Sequence, residues 1–101
     1  MLSIHTVIVK YKLPTPVPRE DMEHAFAAAQ AQFASVPGLV RKYFCYDEAD
    51  HCGHSVYLFE DEASAQAFFS PQFAISMEEK FGTTPEVFGV DTLLVVDGPA
   101  G

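Results

Sequence analysis

The chain has 101 residues, 49% of them hydrophobic, with nine Phe, four Tyr and no Trp, a length that makes one domain with a core of its own. Six Lys and Arg stand against fourteen Asp and Glu, a formal net charge of −8, which argues against nucleic acid or an anionic membrane surface as partner. The longest apolar runs fall far short of a membrane span.

Cys45 and Cys52 are two thiols without a disulfide framework, and no basic start leads into a long apolar run. A reducing, cytoplasmic setting is therefore expected.

In chain order, Ser3 to Lys12 reads as a central strand, with apolar groups on both faces. Leu13 to Pro18 carries three prolines and is a stiff loop. Arg19 to Ser35 is a helix, with acids in its first turn and an apolar stripe of Met22, Phe26, Ala29, Phe33 and Val36. Pro37-Gly38 ends it. Leu39 to Tyr46 and His54 to Phe59 form a hairpin about the turn Asp47 to Gly53. Asp61 caps a second helix from Glu62 to about Ser70, and a further helical piece runs from Gln72 to Phe81, closed by Gly82. Glu86 to Val96 is the last strand. One domain over 1–97 with a flexible tail over 98–101 is expected.

The order βαββαβ predicts an α+β, ferredoxin-like fold with a four-stranded antiparallel sheet. Helices cover one face of such a sheet, so the hydrophobic surplus calls for a second copy on the other, and a homodimer is expected. Ile4, Ile8, Val56 and Leu58 would share that face by alternation.

No Gly-rich phosphate loop, nucleophile elbow or zinc-type histidine pair is present. Candidate chemistry rests on polar groups within apolar strands. His5 shares a strand face with Val7, Val9 and Tyr11, whereas the alternate set contains Lys10, whose ammonium is costly beneath helices. The His5 set is thus predicted on the helix side, where a neutral imidazole opening onto a pocket acts as general base or, more plainly, is a hydrogen-bonded strand-end histidine. Tyr43 and Tyr57 offer hydroxyls to stabilise an enolate, or pack as core. Phe26, Phe33, Phe68, Phe73 and Met77 are core residues that also suit the wall of a pocket. Cys45, His51, Cys52 and His54 have poor spacing for a metal, and none is expected.

The segments TVIVKYKLP, PGLVRKYF, VYLFEDEASAQAFF, FSPQF and PEVFGVDTLLVVD resemble the dimeric α+β barrel (ferredoxin-like) superfamily, and within it the small YdhR-type monooxygenases. The resemblance implies a dimeric α/β barrel with an apolar pocket in each subunit. It also implies cofactor-independent oxidation of a small aromatic or polyketide-like compound, with no metal, flavin or haem. The Asn and Trp site residues of the quinone-forming relatives have no counterpart, since the chain contains neither residue. Cyclase-like members carry a first-strand histidine similar to His5 and a second one after helix 2, where this chain has Ser70-Pro71-Gln72-Phe73. A non-catalytic ligand-binding or stress-response dimer is the remaining alternative. The combined reading is a monooxygenase with His5 as base, Tyr43 and Tyr57 as donors, and Val7, Val9, Tyr11, Phe26, Phe33, Phe68, Phe73 and Met77 around the substrate.

Overall fold

Seven elements follow one another in the computed structural model: β1 (His5–Lys12), α1 (Arg19–Ala34), β2 (Leu39–Asp47), β3 (Cys52–Phe59), α2 (Glu62–Phe68), α3 (Pro71–Phe81) and β4 (Glu86–Asp91). The structure describes residues 4–100; Ser3 of the expected first strand and Gly101 of the expected tail lie outside them. The strands form one antiparallel sheet in the order β2-β3-β1-β4. The fold is α+β and ferredoxin-like, as the element order predicts. Among the described residues no helix is long and apolar enough to cross a membrane.

Local chemistry accounts for the helix ends. Pro18 precedes α1 with φ −60°, and Glu20 and Asp21 occupy the first turn, where the helix dipole favours acids. The Asp61 carboxylate accepts the Ser64 N–H at 2.7 Å and starts α2. Pro71 sits in the first turn of α3, and Gly82 ends it in the left-handed region at φ 69°, donating its N–H to the Glu78 carbonyl.

Strand alternation sets the two faces of the sheet. His5, Val7, Val9 and Tyr11 are buried on one side of β1, while Lys10 and Lys12 are exposed on the other. Val7, Val9 and Tyr11 join Leu13, Met22, Tyr57, Phe59 and Ala65 in the core beneath the helices. The Tyr11 ring lies against the backbone of its cross-strand partner Gly53, where any Cβ would collide with it.

Two features depart from the sequence reading. β2 carries an irregularity between Leu39 and Arg41, which pair with the consecutive residues Phe59 and Leu58, leaving Val40 as the extra residue of a bulge. Leu39 therefore shares the helix side with Lys42, Phe44 and Tyr46. The last strand stops at Asp91 instead of Val96. The Thr92 N–H reaches the Ile4 carbonyl at 2.9 Å and the Thr6 and Thr92 hydroxyls meet, but past this point no strand among the described residues is there to pair. Leu93, Leu94, Val95 and Val96 are consequently exposed, Leu93 by 93%.

Candidate active site

A cavity of about 430 Å³ opens between the sheet and the helices. Val9 and Tyr11 of β1, Ser55 and Tyr57 of β3, and Lys42 and Phe44 of β2 form its floor. Phe26, Ala29 and Phe33 of α1 line one wall, and Phe68, Phe73, Met77 and Phe81 the other. Gln32, Gln72, Ser76 and Lys80 are exposed residues at its margin. The room exists because α1 and α3 bring rings and small side chains to the same place: Ala25 and Ala29 leave space that the phenylalanines surround. Phe33 sits at the junction, 5.5 Å from Phe44, 6.0 Å from Tyr57 and 5.9 Å from Phe68 between centroids.

The unusual member is Lys42. It is the cross-strand partner of Tyr57, and its Nζ lies 3.3 Å from the Phe33 ring centroid, 3.9 Å from Phe44 and 4.5 Å from Tyr57. Among the described residues it makes no ion pair. Burial, and secondarily the charge of Lys80, push its ammonium down to about 7. The ring faces act the other way, since they attract a cation. The result is an amine that changes charge close to neutrality inside an aromatic box.

The phenols around it stay protonated. Burial, with Tyr46 nearby, pushes Tyr11 up to about 12 against the opposing hydrogen bond of Ser55. Burial, and then Tyr11, pushes Tyr57 up as well. An amine able to take a proton, beside protonated phenols that can donate hydrogen bonds, suits ionisation of a weakly acidic aromatic compound and stabilisation of the oxyanion formed.

The residues singled out from sequence divide sharply. Tyr57, Val9, Tyr11, Phe26, Phe33, Phe68, Phe73 and Met77 all line the cavity. Val7 does not; it is buried in the core between Tyr57 and Gly89. His5 lies on the helix side, as strand parity predicts, but at the far end of β1 rather than at the cavity. Its neighbours are Phe59 on β3 and Asp91 on β4, Nδ1 stands 3.1 Å from the Asp91 carboxylate, and Nε2 faces the backbone of Gly89. Tyr43 pairs with Val56 on the opposite face, is 46% exposed, and accepts a hydrogen bond from Arg41 at 3.3 Å. The expected trio of His5, Tyr43 and Tyr57 is thus not assembled. Lys42 and Lys80 escaped the sequence reading, although the alternation Lys42, Phe44, Tyr46 puts a lysine in register with two aromatic residues.

His5, Glu62 and Asp91 bring three ligand-type atoms within 4.8 Å of one another. Glu62 and Asp91 are exposed, and the imidazole–carboxylate hydrogen bond accounts for His5 without an ion. Cys45, His51, Cys52 and His54 do not bring three such atoms together.

Residues 7–90 match the family described as "Putative mono-oxygenase ydhR". The chain belongs to this family. No curated protein matches it. Among solved structures it is similar to NE2512, a protein of unknown function from Nitrosomonas europaea, at 19% identity and TM-score 0.69 over 99% of this chain and 98% of that one. It is also similar to SnoaB, a cofactor-independent oxygenase from Streptomyces nogalater, at 19% identity and TM-score 0.66 over 95% and 99%. A third is the ActVA-Orf6 monooxygenase of Streptomyces coelicolor in complex with nanaomycin D, at 12% identity and TM-score 0.69 over 95% and 93%. At these identities the structural likeness carries the fold, and the family match carries the general kind of protein.

Proposed function

We propose that this protein is a cofactor-independent monooxygenase that oxidises a small, ionisable aromatic or polyketide-like compound in the cavity. The observation that carries this reading is the placing of Lys42, an amine at about 7, among Phe33, Phe44 and Tyr57. Neutral Lys42 takes a proton from the hydroxyl or activated methylene of the bound compound. Tyr57 donates to the resulting oxyanion. The electron-rich carbon reduces dioxygen, a carbon–oxygen bond forms, and the peroxide collapses so that a methylene and O2 become a carbonyl and water. The Lys42 ammonium supplies the proton that leaves with the departing oxygen. This reading keeps Tyr57 as donor and moves the base from His5 to Lys42. SnoaB, of the same fold, is named as an oxygenase that needs no cofactor, which supports the reading.

The same reading includes a cytoplasmic homodimer formed through the sheet face opposite the helices, where Ile8, Tyr43, Phe88 and Val90 are exposed.

Oxygen consumption with anthrone and quinol compounds, in buffer freed of metal, tests the activity. Uptake is expected, with Lys42→Met lowering kcat about 100-fold or more and Tyr57→Phe about 100-fold. Tight binding of anthrones without oxygen uptake would make the protein a binding module.

A further inference from the structure

The whole chain holds only six Lys and Arg against fourteen Asp and Glu. Two of the six, Lys42 and Lys80, line this one cavity, and none of the acids does. The remaining cations are placed differently. Lys12 pairs with Asp50 at 3.3 Å, Arg19 pairs with Glu23 at 3.0 Å, and Lys10 and Arg41 are exposed on the face of the sheet away from the cavity. Among the described residues, neither Lys42 nor Lys80 makes an ion pair.

Lys80, exposed at the margin, adds its repulsion to the cost of the Lys42 ammonium, which the walls desolvate. In a chain with net charge −8 such a site stands against the prevailing field, and an anion entering it relieves both costs. The other polar groups of the cavity, the hydroxyls of Tyr11, Ser55, Tyr57, Ser70 and Ser76 and the amides of Gln32 and Gln72, can all donate hydrogen bonds.

We propose that the cavity's ligand is an aromatic carboxylate, with its ring system among Phe26, Phe33, Phe68 and Phe73 and its carboxylate against Lys80 at the margin, within the field of Lys42. The inference rests on the proposed function in taking this cavity as the substrate site, and deepens it by giving the substrate a permanent negative charge besides the group that ionises. The carboxylate has a consequence for catalysis. By neutralising Lys80 it relieves the smaller of the two influences that hold Lys42 down, burial being the larger, so at pH 8 a fraction of Lys42 takes up a proton while the neutral remainder stays available as base. The titratable groups facing Lys42 are Tyr57 and Tyr11 from the sheet and Lys80 from α3, and α1 contributes none. Proton uptake on binding therefore falls to Lys42.

Isothermal titration of the full chain with 2-naphthoate and its neutral isostere 2-naphthamide tests this. At pH 8 naphthoate should bind about tenfold tighter or more, the effect of a charge-assisted contact. Its heat should depend on the buffer's ionisation enthalpy, showing proton uptake; that of naphthamide should not. Lys80→Met, an exposed substitution, should remove most of the preference for naphthoate over naphthamide. Lys42→Met should abolish the proton uptake. Lys12→Met, with the same change in net charge, should preserve both. Equal binding of the two compounds overturns the charged-substrate inference while leaving the cavity as the ligand site; binding of neither overturns both.

Discussion

At the scale of single residues, two lysines on the sheet show what alternation settles and what it leaves open. The cost of an ammonium beneath helices correctly turns Lys10 outward, and with it places His5, Val7, Val9 and Tyr11 inward. The same cost applied to Lys42 points the wrong way, because Lys42 faces the helices. The difference lies in partners distant in sequence: Phe33 arrives from α1 and Tyr57 from β3, and their ring faces compensate part of the desolvation. The remainder of the cost should be measurable. A lysine depressed from 10.5 to about 7 on folding leaves the unfolded chain binding more protons between those values, so its contribution to stability rises with pH across that interval. Below about 7 the penalty is complete. Lys42→Met should accordingly stabilise the fold at pH 6 by roughly 2 kcal/mol, a figure reduced for partial exposure, with the gain shrinking as pH approaches 10. Urea unfolding of both chains at the two pH values measures it; a gain independent of pH would mean that the ammonium carries no desolvation cost.

At the scale of elements, the helices and the hairpin were legible because each has local signals. Asp61, Pro71 and Gly82 mark ends by side-chain bonding, ring geometry and left-handed backbone. The cavity wall was legible too, since phenylalanines at helical spacing must face the sheet. What failed was longitudinal position. Alternation says which side of a strand His5 takes, but not that α1 and α3 frame the cavity farther along, over Val9, Tyr11 and Tyr57. It also says nothing of pairing register, which sets Tyr43 beside Val56 and Lys42 beside Tyr57. Register in turn explains Gly53, whose missing side chain lets the Tyr11 ring lie on the strand and shape the cavity floor. Gly53→Ala should displace that ring and cost roughly 1–3 kcal/mol, as overpacking does. A lowered urea midpoint with unchanged slope is the expected result, and an unaltered midpoint would show that Tyr11 moves aside freely.

At the scale of the whole molecule, the sheet is covered on one side only. On the other, Ile8 of β1 lies between Val56 and Phe88, Thr6 lies between Leu58 and Val90, and Tyr43 extends the row beyond Val56. Phe88 is 65% exposed and Val90 46%. Beyond β4, Leu93 to Val96 add apolar surface that has no cover within the described chain. The row from Tyr43 through Val56 and Ile8 to Phe88 is apolar and ring-bearing, with Lys10 and Arg41 to either side of it, which suits the charge-depleted core of a permanent interface inside a polar rim. Val56 is the residue to change, being on an inner strand and flanked by Ile8 and Tyr43. A carboxylate there would have to be desolvated without a partner in the proposed dimer, whereas in a lone subunit it would point to water and disturb little. Val56→Asp should therefore convert the dimer to a monomer or to an aggregate, read as the mass from light scattering on a size-exclusion column. Circular dichroism should show the secondary structure retained in any monomer. A soluble dimer of unchanged mass after the substitution would place the subunit contact elsewhere.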